Sequence, residues 1–159
     1  ARAVGARVVA VGRNPQKLKI AAELGAEVVD TKSGDAVKAV QELTGGRGAD
    51  VVIEAVGSDE TIQQAVDMAA LGGRVVLVGL MPVGHKTPLA LARVVRGGIQ
   101  ILGNYGARPR LDLPVVIKMV ERGLLQPERL AGPVYKLEEI NEAVEALRSG
   151  RAIRPIVVP

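Results

Sequence analysis

The sequence predicts an α/β fold built on a doubly wound parallel sheet, and three observations support it. Near-continuous apolar runs at residues 6–12, 51–56 and 74–80 have the pattern of strands buried on both faces. Segments of helical period, bounded by caps and glycines, lie between these runs at the spacing of right-handed βαβ units. The run 51–56 then ends on Gly57, where a ligand's edge can lie against bare backbone.

Taken in order, residues 1–5 read as the tail of a helix, with a glycine stop but no N-cap ahead of them. A strand follows over 6–12. Asn14 and Pro15 supply an N-cap and an N1 proline for a helix carrying Lys17, Leu18, Ala21, Ala22 and Leu24 up to Gly25. Residues 27–30 form a short strand, and 35–43 a helix with Val37, Val40 and Leu43 on one face. The stretch from Leu43 to Gly57 closes that helix with glycines, turns and runs the central strand. Ser58 opens a helix with Asp59 and Glu60 in its first turn, where acids suit the dipole, and Gly72 and Gly73 are expected to end it. The strand 74–80, a loop 81–87, a short helix 88–96 and a strand 98–103 come next. Beyond Gly103 the alternation changes to a loop 104–110, a helix 113–122, a turn at Gln126 and Pro127, a strand 134–136, a helix 137–147 and a closing strand 153–158. There is no internal repeat.

The 159 residues, 48% of them hydrophobic, suffice for one ordinary domain core plus an appendage. The absence of cysteine excludes a disulfide framework, a thiol nucleophile and a cysteine-ligated zinc. A net charge of +4 is spread over scattered residues such as Arg2, Arg7, Arg47, Arg74 and Arg129, and no Phe or Trp is present to stack on bases. Nucleic acid is therefore not the expected partner. No apolar run approaches the ~20 residues that span a bilayer, and a soluble, cytoplasmic protein is expected.

The string LTGGRGADVVIEAVG closely resembles the fourth-strand segment of the medium-chain dehydrogenase/reductases, the zinc-type alcohol dehydrogenase family. GARVVAVGRNPQKLKIAAELGAEVVD resembles that family's second strand, helix and third strand, GGRVVLVGL its fifth strand, and LEEINEAVEALRSGRAIRPIVVP its C-terminal helix and strand. The resemblance covers essentially the whole chain. It implies a Rossmann-type sheet over 1–103 that lacks its first strand, followed by a segment, 104–159, that completes the catalytic domain of a longer parent. Neither the N-terminal catalytic domain nor a G-x-G-x-x-G turn is present. In the strand order 3-2-1-4-5-6 the first strand is central, so its removal leaves strands 2 and 4 with open edges and a fragment of low stability.

The resemblance further implies an NAD(P)-dependent oxidoreductase that passes hydride between a nicotinamide and an alcohol or carbonyl, with zinc held only in the absent part. A zinc-free quinone or enone reductase of the same superfamily is the alternative, although SGRAIRPIVVP leans toward the zinc branch; a non-enzymatic nucleotide-binding or assembly module is a further one. No catalytic or metal-binding residue is assigned within the chain, and the isolated fragment is expected to be inactive. Where an NAD-binding unit ends its second strand in an acid, this sequence has Gly12, followed by Arg13, Asn14 and Lys17. That set leaves room for a 2′-phosphate and offers it a guanidinium, which implies NADP; a turn, a helix cap and a solvated face are the other reading. Ala55, Val56 and Gly57, with Val78, Gly79 and Leu80, match strand ends that flank the coenzyme. Leu102 and Asn104 match positions whose backbone holds the carboxamide, and Arg154 matches an arginine that reaches the pyrophosphate. Glu54, an acid within an apolar strand, must be bonded to a loop or serve as a functional acid. His85 is expected to be exposed, and Tyr105 and Tyr135 lack a basic partner. The family's outer strand pairs with its copy across a two-fold axis, so a homodimer through 98–103 is expected.

Overall fold

The computed structural model describes residues 1–106 and 108–159. It contains seven strands and six α-helices among those residues, in three separate sheets. β1 (Val9–Gly12) pairs with β2 (Glu27–Asp30), β3 (Ala49–Glu54) with β4 (Ala69–Leu77) and β4 with β5 (Gln100–Gly103), and β6 (Val134–Lys136) with β7 (Ile156–Val158). The pairings of β3 with β4, β4 with β5 and β6 with β7 are parallel. Among the described residues β1 bonds only β2 and β3 bonds only β4, so each has one edge without a strand partner. The chain divides into two compact units, residues 1–28 with 108–159, and residues 29–107.

In the second unit, α2 (Ala36–Leu43) begins where the Asp35 carboxylate accepts from the N–H groups of Val37 at 2.8 Å and Lys38 at 3.1 Å. The main core lies between the three-stranded sheet, α3 (Asp59–Met68) and α4 (Leu91–Gly97). Val66 and Val75 are fully buried there with Ala65, Ala69 and Ile99, and Val52, Leu77, Leu89, Val94 and Ile101 close over them. Register follows the hydrophobic pattern, with Val52 opposite Val75 and Val75 opposite Ile101.

One boundary differs from expectation. α3 ends at Met68, β4 starts at Ala69, and Gly72 and Gly73 fall inside the strand rather than at the helix stop. The pairing slips there, from Ala49 opposite Ala69 to Val51 opposite Arg74, which is a bulge. A Cβ on Gly73 would stand 2.8 Å from the Ala70 carbonyl, and one on Gly48 2.7 Å from that of Met68. These glycines let backbone meet backbone. The Arg93 guanidinium donates to the Ala69 carbonyl at 2.8 Å and caps the end of the helix. β4 also stops at Leu77, so Val78, Gly79 and Leu80 follow the strand instead of ending it.

In the first unit, residues 1–5 form only a 3-10 turn, Arg2–Val4, closed by Gly5 in the left-handed region. α1 (Pro15–Glu23) starts at the predicted cap. α5 (Pro109–Glu121) begins a turn earlier than its apolar residues suggest, because the Asp112 carboxylate accepts from the Arg108 N–H at 2.7 Å and fixes the entry. A 3-10 turn (Leu137–Glu139) leads into α6 (Ile140–Arg148). The closing strand is only β7, since Pro155 has no N–H and the Arg154 carbonyl accepts from the Gly132 N–H at 2.8 Å. No helix among the described residues is long and apolar enough to cross a membrane.

Candidate functional site

The carboxyl edge of β3 and β4 is held by one residue. Glu54 ends β3, is 4% exposed and is the buried charged side chain among the described residues. Its Oε1 accepts from the N–H groups of Val56 at 2.7 Å and Gly57 at 2.9 Å and from the Thr61 hydroxyl at 2.8 Å. Its backbone carbonyl accepts from Val78 N–H at 2.8 Å and Gly79 N–H at 3.0 Å. One residue thereby ties the turn after β3, the segment after β4 and the first turn of α3. The acid in the apolar strand is thus bonded to its loop, as one of the two sequence readings requires. Ser58 and Thr61 complete the helix start as a reciprocal capping box.

Two glycines make this packing possible. A Cβ on Gly79 would stand 2.2 Å from the Gly57 nitrogen and 2.6 Å from Glu54 Oε2, and one on Gly57 2.7 Å from the Leu80 carbonyl. Gly57 also has φ +78°, which disfavours any side chain. The structure sets Gly57 directly against Gly79 and Leu80, two of the residues the sequence reading grouped with it. Val56 and Leu80 are each 71% exposed, so the edge offers apolar side chains to a flat ligand face. Asn104 joins the same edge, its N–H donating to the Leu77 carbonyl at 2.9 Å, while Leu102 on β5 is 42% exposed. Asp59 and Glu60 lie in the first turn of α3, where they suit the dipole and disfavour a further anion.

The remaining predicted residues belong to the other unit. Gly12 ends β1, and a Cβ there would meet only Leu18 Cδ2 at 3.5 Å, an ordinary contact. Nothing in the packing demands glycine at this position. Asn14 is committed to structure: Oδ1 caps α1 by accepting from the Gln16 N–H at 2.9 Å and the Lys17 N–H at 3.1 Å, and Nδ2 donates to the Gly150 carbonyl at 3.3 Å. Arg13, Lys17 and Arg154 are exposed. Tyr105 is 85% exposed.

His85 is exposed, as expected, but it is also paired, which the sequence did not signal. Its Nε2 lies 2.9 and 3.1 Å from the two Asp59 carboxylate oxygens, across 26 residues. With the Gln63 side chain accepting from the Ala90 N–H at 3.2 Å, this ties the loop after β4 onto α3. Only the late position of a lone histidine and the early acid of a helix existed to suggest it, and neither implies the other. Among the described residues no three His, Cys, Asp or Glu side chains are grouped to hold a metal ion.

Parallel strands joined by helices, with glycine-lined turns at their carboxyl ends, define a nucleotide-binding type of α/β fold. The family model for zinc-binding dehydrogenases matches residues 1–122, and the chain belongs to that family. It is 32% identical to L-threonine 3-dehydrogenase of Bacillus subtilis (strain 168) over 162 aligned residues, which span 100% of this chain and 46% of that protein. Among solved structures, benzyl alcohol dehydrogenase from Acinetobacter calcoaceticus superposes with a TM-score of 0.89 at 28% identity, covering 96% of this chain and 42% of that one. A zinc-binding dehydrogenase from Sinorhizobium meliloti 1021, bound to NADP, superposes with a TM-score of 0.86 at 26% identity, over 96% and 45% of the two chains. The chain spans about half the length of the curated relatives it matches.

The Asp59 pair sets a pH dependence. Hydrogen bonds from His85 first, then from Thr87, hold the Asp59 carboxyl below the usual carboxylate range. Its contribution to stability is therefore present above an ordinary carboxylate pKa of about 4 and is lost as pH falls through its lower folded value. Asp59→Asn should lower the melting temperature at about pH 6, and the gap to wild type should narrow as pH falls below about 4. Melts followed by circular dichroism check this; a gap that is constant with pH would show that the Asp59 charge does not carry the loss.

Proposed function

We propose that the chain is the coenzyme-binding part of an NAD(P)-dependent dehydrogenase of the alcohol dehydrogenase type, acting on an alcohol and its carbonyl partner. The observation that supports this most is the exposed edge formed by Ala55–Gly57 and Val78–Leu80, where Val56 and Leu80 are each 71% exposed beside two backbone segments that Gly57 and Gly79 let pack together. An exposed apolar edge at the carboxyl ends of parallel strands fits the flat rings of a dinucleotide. When bound, the nicotinamide accepts or returns a hydride. The chain's own residues bind and orient: Val56 and Leu80 cover ring faces and shed water, and the backbone about Leu102 and Asn104 holds the carboxamide. The chain supplies no acid or base to the reacting atoms. Zinc ligands and proton relay belong to the N-terminal catalytic domain of the longer parent, with residues 1–103 as coenzyme domain and 104–159 as the return of the catalytic one.

NADP is the proposed coenzyme. Gly12 has room beside it, and Arg13 offers an always-charged fork suited to a 2′-phosphate, with Lys17 a turn later. Arg154 has the same chemistry for a pyrophosphate. Because a side chain at Gly12 meets only ordinary contact, Gly12→Asp with Arg13→Ile is a clean test in the intact dehydrogenase. The ratio of kcat/KM for NADP over NAD should fall by roughly ten to a hundredfold, the value of one charge-assisted bidentate contact. An unchanged ratio returns both residues to the turn-and-surface reading.

The outer strand supports a homodimer. β5 is the last strand of its sheet, and Leu102 on it and Val95 on the preceding helix α4 are 42% and 78% exposed. Ile99, by contrast, is 6% exposed and packs in the core, so the informative substitutions are Val95→Glu and Leu102→Lys. Light scattering at tens of micromolar should show a dimer for the wild type and a monomer for the double variant. A monomeric wild type contradicts the assembly.

A further inference from the structure

The coenzyme reading leaves open what fixes the shape of the edge, and on that reading the hydrogen bonds of Glu54 acquire a functional sense. We propose that Glu54 is a positioning residue for the dinucleotide: it never touches the coenzyme but sets the backbone against which the coenzyme lies.

Three features distinguish it from an ordinary strand residue. A buried carboxylate is costly unless bonded, and an apolar side chain would serve packing alone more cheaply at a strand end. Glu54 stands here although its Oε2 is buried with no hydrogen-bond partner. Nor are its bonds spread for stability. Oε1 receives three donors, from Val56 N–H, Gly57 N–H and the Thr61 hydroxyl, and the backbone carbonyl receives Val78 N–H and Gly79 N–H. Two of the three donors to the carboxylate are backbone amides of the turn that forms one side of the exposed edge, while the two bonds to the carbonyl tie in the other side whatever the side chain.

The geometry also shows how a shift would travel. The Gly79 Cα faces both Glu54 Oε2 and the Gly57 nitrogen, with less than a methyl group's clearance from either. If the carboxylate withdraws from Val56 and Gly57, the turn relaxes, and the Gly79 segment loses the wall that fixes it. Ala55 and Val56 would then move on the side that faces the ligand. Length, rather than charge, is the property that matters, because the interaction is acceptance by one oxygen at one place.

The intact dehydrogenase titrated with NADPH, by cofactor fluorescence below its melting temperature, separates these roles. Glu54→Gln keeps the chain length and an acceptor oxygen; it should bind within about threefold of wild type. Glu54→Asp keeps the charge but draws the acceptor back by one methylene, and should weaken binding by about tenfold or more. Thr61→Val, which removes a helix-capping hydroxyl while leaving the Val56 and Gly57 bonds, should lower the melting temperature with little change in affinity. Should Glu54→Asp bind as wild type while melting early, or should Gln be the weak variant, the positioning role is overturned and a purely structural or charge role replaces it. A wild type that binds neither NADPH nor NADH overturns the coenzyme reading itself, and this proposal with it.

Discussion

The physical constraint on which the rest of the described edge depends is the acceptance of backbone amides by one buried carboxylate. A parallel sheet ends in turns whose N–H groups have no strand partner, and water satisfies them at most strand ends. Here the Glu54 side chain and carbonyl take them inward. The turn is thereby drawn so close to its neighbour that only glycine fits at positions 57 and 79. Sequence and geometry lock together at this point: the acid explains the glycines, and the glycines leave the acid no space to move. The exposed apolar side chains beside them are then free to serve a ligand.

Close backbone approach recurs in the same unit. Gly48 and Gly73 sit where the end of α3, the bulge in β4 and the entrance to β3 converge, and the buried alanines 69 and 70 complete that contact. A small residue at each position lets the sheet and helix share one core led by Val66 and Val75. In the other unit the equivalent anchoring is polar. Asn14 both starts α1 and bonds the Gly150 carbonyl, joining residues 136 apart in sequence. A helix cap there also holds the C-terminal segment.

Much of this was legible because each feature has a local signature. Asn14–Pro15, Asp35 and Ser58 mark helix starts by the competition of short polar side chains for free N–H groups, and all three are caps in the structure. The parallel architecture followed from unbroken apolar runs, whereas residues 55–57 and 78–80, read as strand ends, lie just beyond β3 and β4. What was not legible depended on contacts distant in sequence. Gly72 and Gly73 read as a helix stop, since a local rule cannot see that backbone from β3 passes beside them. The early start of α5 rests on one carboxylate bonding backward to Arg108, and the His85–Asp59 pair joins two elements that carry no mutual signal. The 104–159 segment was recognised by resemblance rather than by pattern.

The central claim is that a nicotinamide dinucleotide lies against the edge formed by the turn after β3 and the segment after β4. Backbone amide chemical shifts, followed by NMR while NADP is added, test it most directly. The largest saturable changes should fall on Val56, Gly57, Gly79 and Leu80, with the N–H of Asn104 among the next. Saturable changes that leave these amides unmoved, or none at millimolar coenzyme, would contradict the account.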